Sequence, residues 1–300
     1  MVAIGASAKK FLESTAGTAG ALTIVRDVAS LRERVGAWRN EGWKIALVPT
    51  MGAIHQGHIS LVEAAQDRCD RVIVSLFVNP TQFGPTEDVE AYPADEQRDA
   101  QLLAAAGADI LYAPTFETMY PDGFVTTISL SDITAPLCGE FRAGHFAGVA
   151  TIVAKLLLQA GPDMAVFGEK DYQQLLVVRQ LVKDLDIPVE IAGAPTVRET
   201  DGFAVSSRNA YLSPAERAVA PVLYQSLVAV ADQVKAGAVS IDDACSAAEA
   251  TLLAAGFRAI DYIAVRDAES LAPVSSGQTS ARVFGAAWLG KARLIDNIGL

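Results

Sequence analysis

The chain has 300 residues, 51% of them apolar, with a formal charge of −11 and three cysteines. That much apolar matter supports a large buried core in one or two domains. The acidic balance and the lack of a Lys/Arg block exclude a nucleic-acid scaffold, whose affinity comes mostly from neutralising phosphates, and favour a small-molecule substrate. Cys69, Cys138 and Cys245 are scattered, with no CxxC and no zinc-spaced Cys/His cluster, so a reducing, cytoplasmic setting without a structural metal is expected.

Residues 1–21 are small and polar, lack a continuous apolar run, and read as a disordered leader. No later segment reaches the ~18–20 uncharged apolar residues of a membrane span. Apolar, strand-like runs at Leu22 to Val25, Ile45 to Val48, Val72 to Val78, Ile110 to Tyr112 and Ala165 to Phe167 alternate with helical periodicity. The helical patterns cover Val28 to Trp38, His58 to Asp67, Ala94 to Ala106, Phe146 to Gln159 and Tyr172 to Lys183. Continuous apolar strands separated by helices predict a doubly wound, parallel-sheet α/β domain over 22–196, Rossmann-like, with its ligand at the carboxyl ends of the strands. From about Pro195 the pattern changes. Ser213-Pro214-Ala215-Glu216 is a capping box opening a long Ala/Val-rich helix to Gly237, and a second helix follows from Ser240 to about Ala255. Ala259 to Val265, Ala281 to Leu289 and Ala292 to Ile295 then read as strands of a smaller α+β domain over 197–300.

Four polar loops follow strands. In the first, Pro49 to His58 (PTMGAIHQGH), Gly52 and Gly57 let the backbone approach a ligand, and the next helix aims unpaired N–H groups and a positive dipole end at the loop. His55 and His58, two of only three histidines in the chain, can add donors converging on a phosphate. In the second, Asn79 to Tyr92, Asn79 and Gln82 supply neutral amides for a small polar substrate. The acids Glu87 and Asp88 suit a magnesium-bound phosphate, although an ordinary polar surface loop reads equally well. In the third, Gly168, Glu169, Lys170 and Asp171 open a helix that carries Gln174. Glu169 and Asp171 can be explained as helix-start acids, but Lys170 opposes the dipole and so invites an anionic partner. In the fourth, after Pro195, Ser206, Ser207 and Arg208 suit phosphate recognition or, equally, a capping serine pair beside a surface arginine. Arg142 and His145 precede a helix and either bind an anion or face a neighbouring subunit. No GxxxxGK[ST], GxGxxG or GxSxG occurs, which removes the P-loop, the dinucleotide fingerprint and the serine elbow.

With these residues assembled, PTMGAIHQGHISLV, SLFVNPTQFG, HFAGVATIV, FGEKDYQQL and PTVRETDGFAVSSRNAYLS together resemble the signature blocks of the pantoate:β-alanine ligases, in order, from about Leu22 to Ile298. These belong to the HxGH nucleotidylyltransferase superfamily related to class I aminoacyl-tRNA synthetases. The resemblance implies an ATP site made by Pro49, Met51, Gly52, Ala53, Ile54, His55, Gln56, Gly57 and His58, completed by Gly168, Glu169, Lys170, Asp171, Val197, Val205, Ser206, Ser207 and Arg208. Pantoate would rest on Gln82 and Gln174 beside Asn79, with Mg²⁺ near Asp88. His55, His58, Lys170, Ser206, Ser207 and Arg208 would carry the catalysis, Ser206 to Arg208 being this family's form of the mobile KMSKS-type loop. The implied reaction is adenylation of pantoate by ATP, then aminolysis by β-alanine, in a cytoplasmic homodimer that needs neither nucleic acid nor membrane. Departures from the family pattern are Val205 in place of methionine, Ala94 in place of arginine, and Glu140 with Ala143 in the run before His145. Another adenylyltransferase of the superfamily would need an acceptor-phosphate site, against which the amide pair Gln82 and Gln174 stands. A non-catalytic nucleotide-binding regulator would not need His55, His58, Lys170, Asp171 and Arg208 together.

Overall fold

The computed structural model describes residues 22–84, 95–274 and 280–300. The leader expected at 1–21, the acids Glu87 and Asp88, and Ala94 lie outside the described residues.

Six strands, β1 (Thr23–Val25), β2 (Ile45–Thr50), β3 (Arg71–Leu76), β4 (Ile110–Tyr112), β5 (Met164–Gly168) and β6 (Glu190–Ala194), form a sheet in the order β1-β4-β3-β2-β5-β6 with every pair parallel. Parallel neighbours require crossovers, and helices supply them: α1 (Val28–Asn40), α2 (Gln56–Gln66), α3 (Glu96–Ala105), the single turns α4 (Phe116–Met119) and α5 (Cys138–Phe141), then α6 (His145–Ala160) and α7 (Tyr172–Asp184). Strand β2 shows why both faces are covered. Ile45 and Leu47 belong to one apolar cluster with Leu31 of α1, Val153 of α6 and Val178 of α7, while Ala46 and Val48 belong to another with Val62 of α2 and Leu103 of α3. Successive residues point to opposite faces, so a strand buried on both sides must be apolar throughout.

The chain continues through α8 (Pro214–Val219), α9 (Val222–Ala236), α10 (Ile241–Ala255) and a three-stranded antiparallel sheet of β7 (Ala259–Asp267), β8 (Ala281–Leu289) and β9 (Ala292–Gly299). Its core packs Leu223, Leu227 and Val230 of α9 and Leu252 of α10 against Val283, Ala287 and Leu289 of β8. Gly285 permits the approach, since a Cβ there would lie 2.9 Å from a Leu227 methyl and 3.0 Å from one of Ile263.

Three features differ from expectation. The long helix expected from Ser213 to Gly237 is two helices. Ser213 and Glu216 do form the capping box, but Pro221 has no N–H to continue the ladder, and α8 ends at Val219 before α9 begins at Val222. Strand β6 has no counterpart among the expected strands. Its sequence, EIAGA, lacks an apolar run because it is an edge strand with only Ala194 buried. Helix α2 begins at Gln56 rather than His58, which changes the meaning of both histidines. No helix among the described residues is long and apolar enough to cross a membrane.

Candidate active site

From β2 the chain steps to β3 and then β4 on one side, whereas β5 takes the other side of β2, so the sheet order reverses between β2 and β5. Ligands of open α/β sheets bind in the crevice outside such a switch point. Here the crevice has a visible origin in the register. Pairing of β2 with β3 continues to Thr50 and Leu76, and pairing of β5 with β6 to Gly168 and Ala194, but pairing of β2 with β5 stops at Leu47 and Ala165. The two central strands part before their ends, and the opening between them is a cavity of about 200 Å³. Its floor is apolar, from Leu61, Phe77, Val149, Ile152 and Phe167, and its rim carries His55, His58, Asn79, Gln82, Lys170, Asp171, Gln174 and Ser206 to Arg208.

His55 is the N-cap of α2, and its Nδ1 accepts the N–H of Gly57 at 3.1 Å. His58 is the third residue of the helix, and its Nδ1 accepts the N–H of His55 at 3.4 Å, closing a capping box made of two imidazoles. The rings stack with centroids 4.0 Å apart and 23° between planes. A nitrogen that accepts cannot carry the proton of a neutral ring, so each Nδ1 contact places the hydrogen on Nε2, the outward atom. Burial, followed by the positive charge of Lys170, pushes the His55 pKa down to about 4. Burial, the neighbouring His55 and Lys170 push His58 down to about 3, with Asp171 opposing. Both rings are therefore neutral Nε2–H donors at neutral pH, presented at the N-terminus of the helix that they cap. Gly57 is needed for this packing, because a Cβ there would lie 2.9 Å from Cε1 of His55.

The opposite lip carries the charge. Gly168 ends β5, and the 3₁₀ turn Glu169–Asp171 follows, with Nζ of Lys170 3.6 Å from Oδ2 of Asp171. Burial raises the Asp171 pKa, but the positive charges of Lys170, Arg208 and Arg142 outweigh it and hold the carboxyl below its ordinary value. The antiparallel sheet secures this turn. Asn297 of β9 donates from Nδ2 to the carbonyls of Glu169 and Lys170, each at 2.9 Å, while Arg282 of β8 meets the Glu169 carboxylate at 3.3 Å. Val205 donates its N–H to the carbonyl of Val197 at 3.0 Å, and the resulting hairpin returns Ser206, Ser207 and Arg208 to the rim beside Val197. Ser206 caps the short Ser207–Tyr211 turn by accepting the Arg208 N–H, as the capping reading expects, and it also lines the cavity.

The amides divide their work. Nδ2 of Asn79 donates to Oε1 of Gln82 at 3.1 Å and to the Gly148 carbonyl at 3.2 Å, and Oδ1 of Asn79 accepts from Tyr120 and Thr81. Asn79 is fully engaged within the protein, so it orients Gln82 and has no amide hydrogen left for a substrate. Gln82 then turns its Nε2 toward the cavity, where its contact is the weak acceptor Sδ of Met51 at 3.2 Å. The adjacent glutamines of α7 separate similarly. Gln173 ties Ile133, Pro136 and Cys138 together by their backbones, and Gln174 lines the cavity.

The sequence profile of the family described as Pantoate-beta-alanine ligase matches residues 23–299. The chain is 57% identical over 280 residues to the pantothenate synthetase of Paramagnetospirillum magneticum, covering 93% of this chain and 98% of that protein. It is 54% identical to that of Rhodospirillum rubrum, covering 93% and 99%. The chain belongs to the pantoate-β-alanine ligase family. Among solved structures, it superposes on a pantothenate synthetase from Thermus thermophilus with a TM-score of 0.86 at 48% identity, covering 92% of this chain and 98% of that one. A pantoate-β-alanine ligase from Francisella tularensis, complexed with β-γ ATP and β-alanine, gives 0.79 at 35% identity, covering 93% and 97%. This protein is accordingly a ligase that forms an amide bond.

Five of the residues expected at the ATP site of this ligase do not line the cavity. Gly52, Ala53 and Ile54 lie behind its wall, Ile54 as a buried core residue; Gln56 points to solvent; and Glu169 turns to Arg282. The residue that shapes the first three is Asp99 of α3, which sequence reasoning passed over. Asp99 is completely buried, its Oδ1 accepts the Ile54 N–H at 2.8 Å, and burial raises its pKa. It braces the turn in which Gly52 has φ +87° and Ala53 φ 51°. A signal for it existed: an acid four residues before the buried Leu103 stands on the apolar stripe of an amphipathic helix, where a charge needs a reason.

Proposed function

We propose that this ligase condenses pantoate with β-alanine to give pantothenate, by way of a pantoyl adenylate formed from ATP. The observation that carries the reading is the grouping of two neutral imidazole donors at the start of a helix with Lys170 and Arg208 around one crevice, whose rim also carries two glutamine amides above an apolar floor. The charged groups of the rim suit a polyphosphate, and its amides above the apolar floor suit a small hydroxy acid.

A carboxylate is a poor electrophile with a poor leaving group, so an amine does not displace its oxygen until that oxygen is activated. In the first step a pantoate carboxylate oxygen attacks the α-phosphorus, the bond to the bridging oxygen breaks, and pyrophosphate leaves with the electron pair. The task of the protein is to hold the reactants in line and to stabilise charge as it moves onto the phosphates. Nε2–H of His55 and His58, the Lys170 ammonium and the Arg208 guanidinium serve as donors for this. Because the rings are neutral, they act as hydrogen-bond donors rather than as obligatory proton sources. In the second step the neutral β-alanine amine attacks the acyl carbon, the bond from that carbon to the adenylate oxygen breaks with its electron pair leaving on AMP, and the nitrogen gives up one proton to solvent. Gln82 and Gln174 are the amides placed to hold pantoate through both steps, and Asn79 sets the orientation of Gln82.

The donor set also bears on magnesium. Asp171 is the single carboxylate among the described residues lining the cavity, too few for a protein cage but fitting an ion bound mainly by substrate phosphates. Such an ion would neutralise phosphate charge, with Asp171 as the protein group available to it. The hairpin that carries Val205 to Arg208, in the region 197–300, serves as the lid of this proposed site, while the small sheet holds the Glu169–Asp171 turn.

The test is incubation with ATP, Mg²⁺, pantoate and β-alanine, following AMP and the amide product, with pantoate-dependent pyrophosphate exchange measured in the absence of β-alanine. Both signals are expected. Exchange without an amide product would point to an adenylyltransferase of another acceptor, and neither signal would refute the reading.

A further inference from the structure

Arg142 and His145 stand outside the chemistry just described, yet they are joined to it by an unbroken chain of hydrogen bonds. His145 is the first residue of α6 and is buried, 8% exposed. Its Nδ1 lies 2.8 Å from the main-chain carbonyl of Gln82, and its Nε2 lies 2.9 Å from Nη1 of Arg142. Carbonyl oxygens only accept and guanidinium nitrogens only donate, so both contacts are satisfied by one form: neutral imidazole with its hydrogen on Nδ1. This is the opposite tautomer to that of His55 and His58. Arg142 selects it, and the ring then donates to Gln82.

The same helix face grips the same turn a second time. Gly148, one turn after His145, meets the Pro80–Gln82 turn so closely that a Cβ would lie 2.6 Å from the Gln82 nitrogen and closer still to the Thr81 carbonyl. The Gly148 carbonyl accepts from Asn79, which in turn holds Oε1 of Gln82. Gln82 is thus fixed at its main-chain oxygen by His145 and at its side-chain oxygen by Asn79, with the backbone of α6 pressed between.

We infer that His145, locked in one tautomer by Arg142, is a positioning residue for the carboxylic-acid substrate, acting by aiming the Gln82 side-chain amide into the cavity. The inference rests on the proposed assignment of Gln82 to pantoate.

The experiment compares His145→Asn, His145→Gln and His145→Leu in pantoate-dependent pyrophosphate exchange, with KM measured separately for pantoate and ATP. Asparagine keeps a donor near the position of Nδ1; glutamine carries its donor one bond further out, near Nε2; leucine has none. For the Leu and Gln variants, kcat/KM for pantoate is expected to fall about ten- to a hundredfold, the scale for a reacting group misplaced by ~1 Å, while KM for ATP stays within about twofold. The Asn variant should stay within about threefold of the parent protein. A merely structural histidine would not rank two polar amides in this way. The inference is overturned if Asn is no better than Gln, or if KM for ATP rises in step with KM for pantoate. If the parent protein itself shows no pantoate-dependent exchange, the proposed function falls and takes this inference with it, whereas an active parent with indifferent variants overturns the inference alone.

Discussion

Replacing Lys170 with methionine keeps the apolar stem and removes the ammonium. In the free protein this charge lies 3.6 Å from Asp171 on a side chain that is 17% exposed, so most of its field stays within the crevice. A unit charge ~4 Å from a phosphate oxygen is worth about 4 kcal/mol at an effective dielectric of ~20. Partial neutralisation by Asp171 and residual solvent reduce this to roughly 3–4 kcal/mol, or two to three orders of magnitude in the adenylation rate. The same charge acts on its neighbours. Lys170 holds the His55 and His58 pKa values down and helps hold that of Asp171 down, so all three should rise in Lys170→Met. The assay is single-turnover formation of the acyl adenylate, with imidazole titration followed by NMR in the unliganded protein. An adenylation rate within tenfold of the parent, or histidine titrations that do not move upward, would refute the electrostatic argument.

Three further outcomes follow from the same geometry. His55 and His58 fall from an ordinary 6.5 to about 4 and about 3, so protons bind preferentially to the unfolded chain between those limits. The stability of the unliganded protein is therefore full above pH 6.5 and declines as pH falls below it, by up to about 2 kcal/mol per ring at pH 5. Denaturant midpoints at pH 7.5 and pH 5 should show that loss in the parent and a smaller one in a His55→Gln, His58→Gln double variant; equal losses would contradict it. Asp99→Ala strands the buried Ile54 N–H and should cost about 1–3 kcal/mol in urea unfolding and raise KM for ATP, whereas Asp99→Asn keeps an acceptor and should cost less. Equal effects of the two would show that the acceptor does not brace the turn. Gly57→Ala drives a methyl into the His55 ring and should lower the adenylation rate by about tenfold or more, since transition-state donors lose their value when displaced. A rate equal to that of the parent would mean that the imidazole stacking is dispensable.

The parallel sheet was readable because its strands are buried on both faces, which forces apolar runs such as Ile45 to Val48. Edge strand β6, with one residue buried, left no such trace. The break between α8 and α9 was readable from Pro221 alone, but the alanine and valine periodicity on either side concealed it. At the site, residue types and spacing marked the histidine loop, the Gly168 to Asp171 turn and the Ser206 to Arg208 segment, and these do share one cavity. The finer roles were not readable. Asn79 and Gln82 look alike as amides three residues apart, and only their partners show that one orients the other.

The amino-acid sequence by itself determined the parallel α/β architecture, the family and the segments that line the cavity, because these depend on local pattern: apolar runs, glycines before a helix, and polar groups at strand ends. Tertiary structure alone decided the protonation geometry. His55 and His58 carry their hydrogens on Nε2 and His145 on Nδ1 because of which backbone or guanidinium group happens to face each ring. For His145 the carbonyl of Gln82, 63 residues away, completes the choice, and for His55 and His58 it is the exact start of the helix, which tertiary packing sets at Gln56 rather than His58.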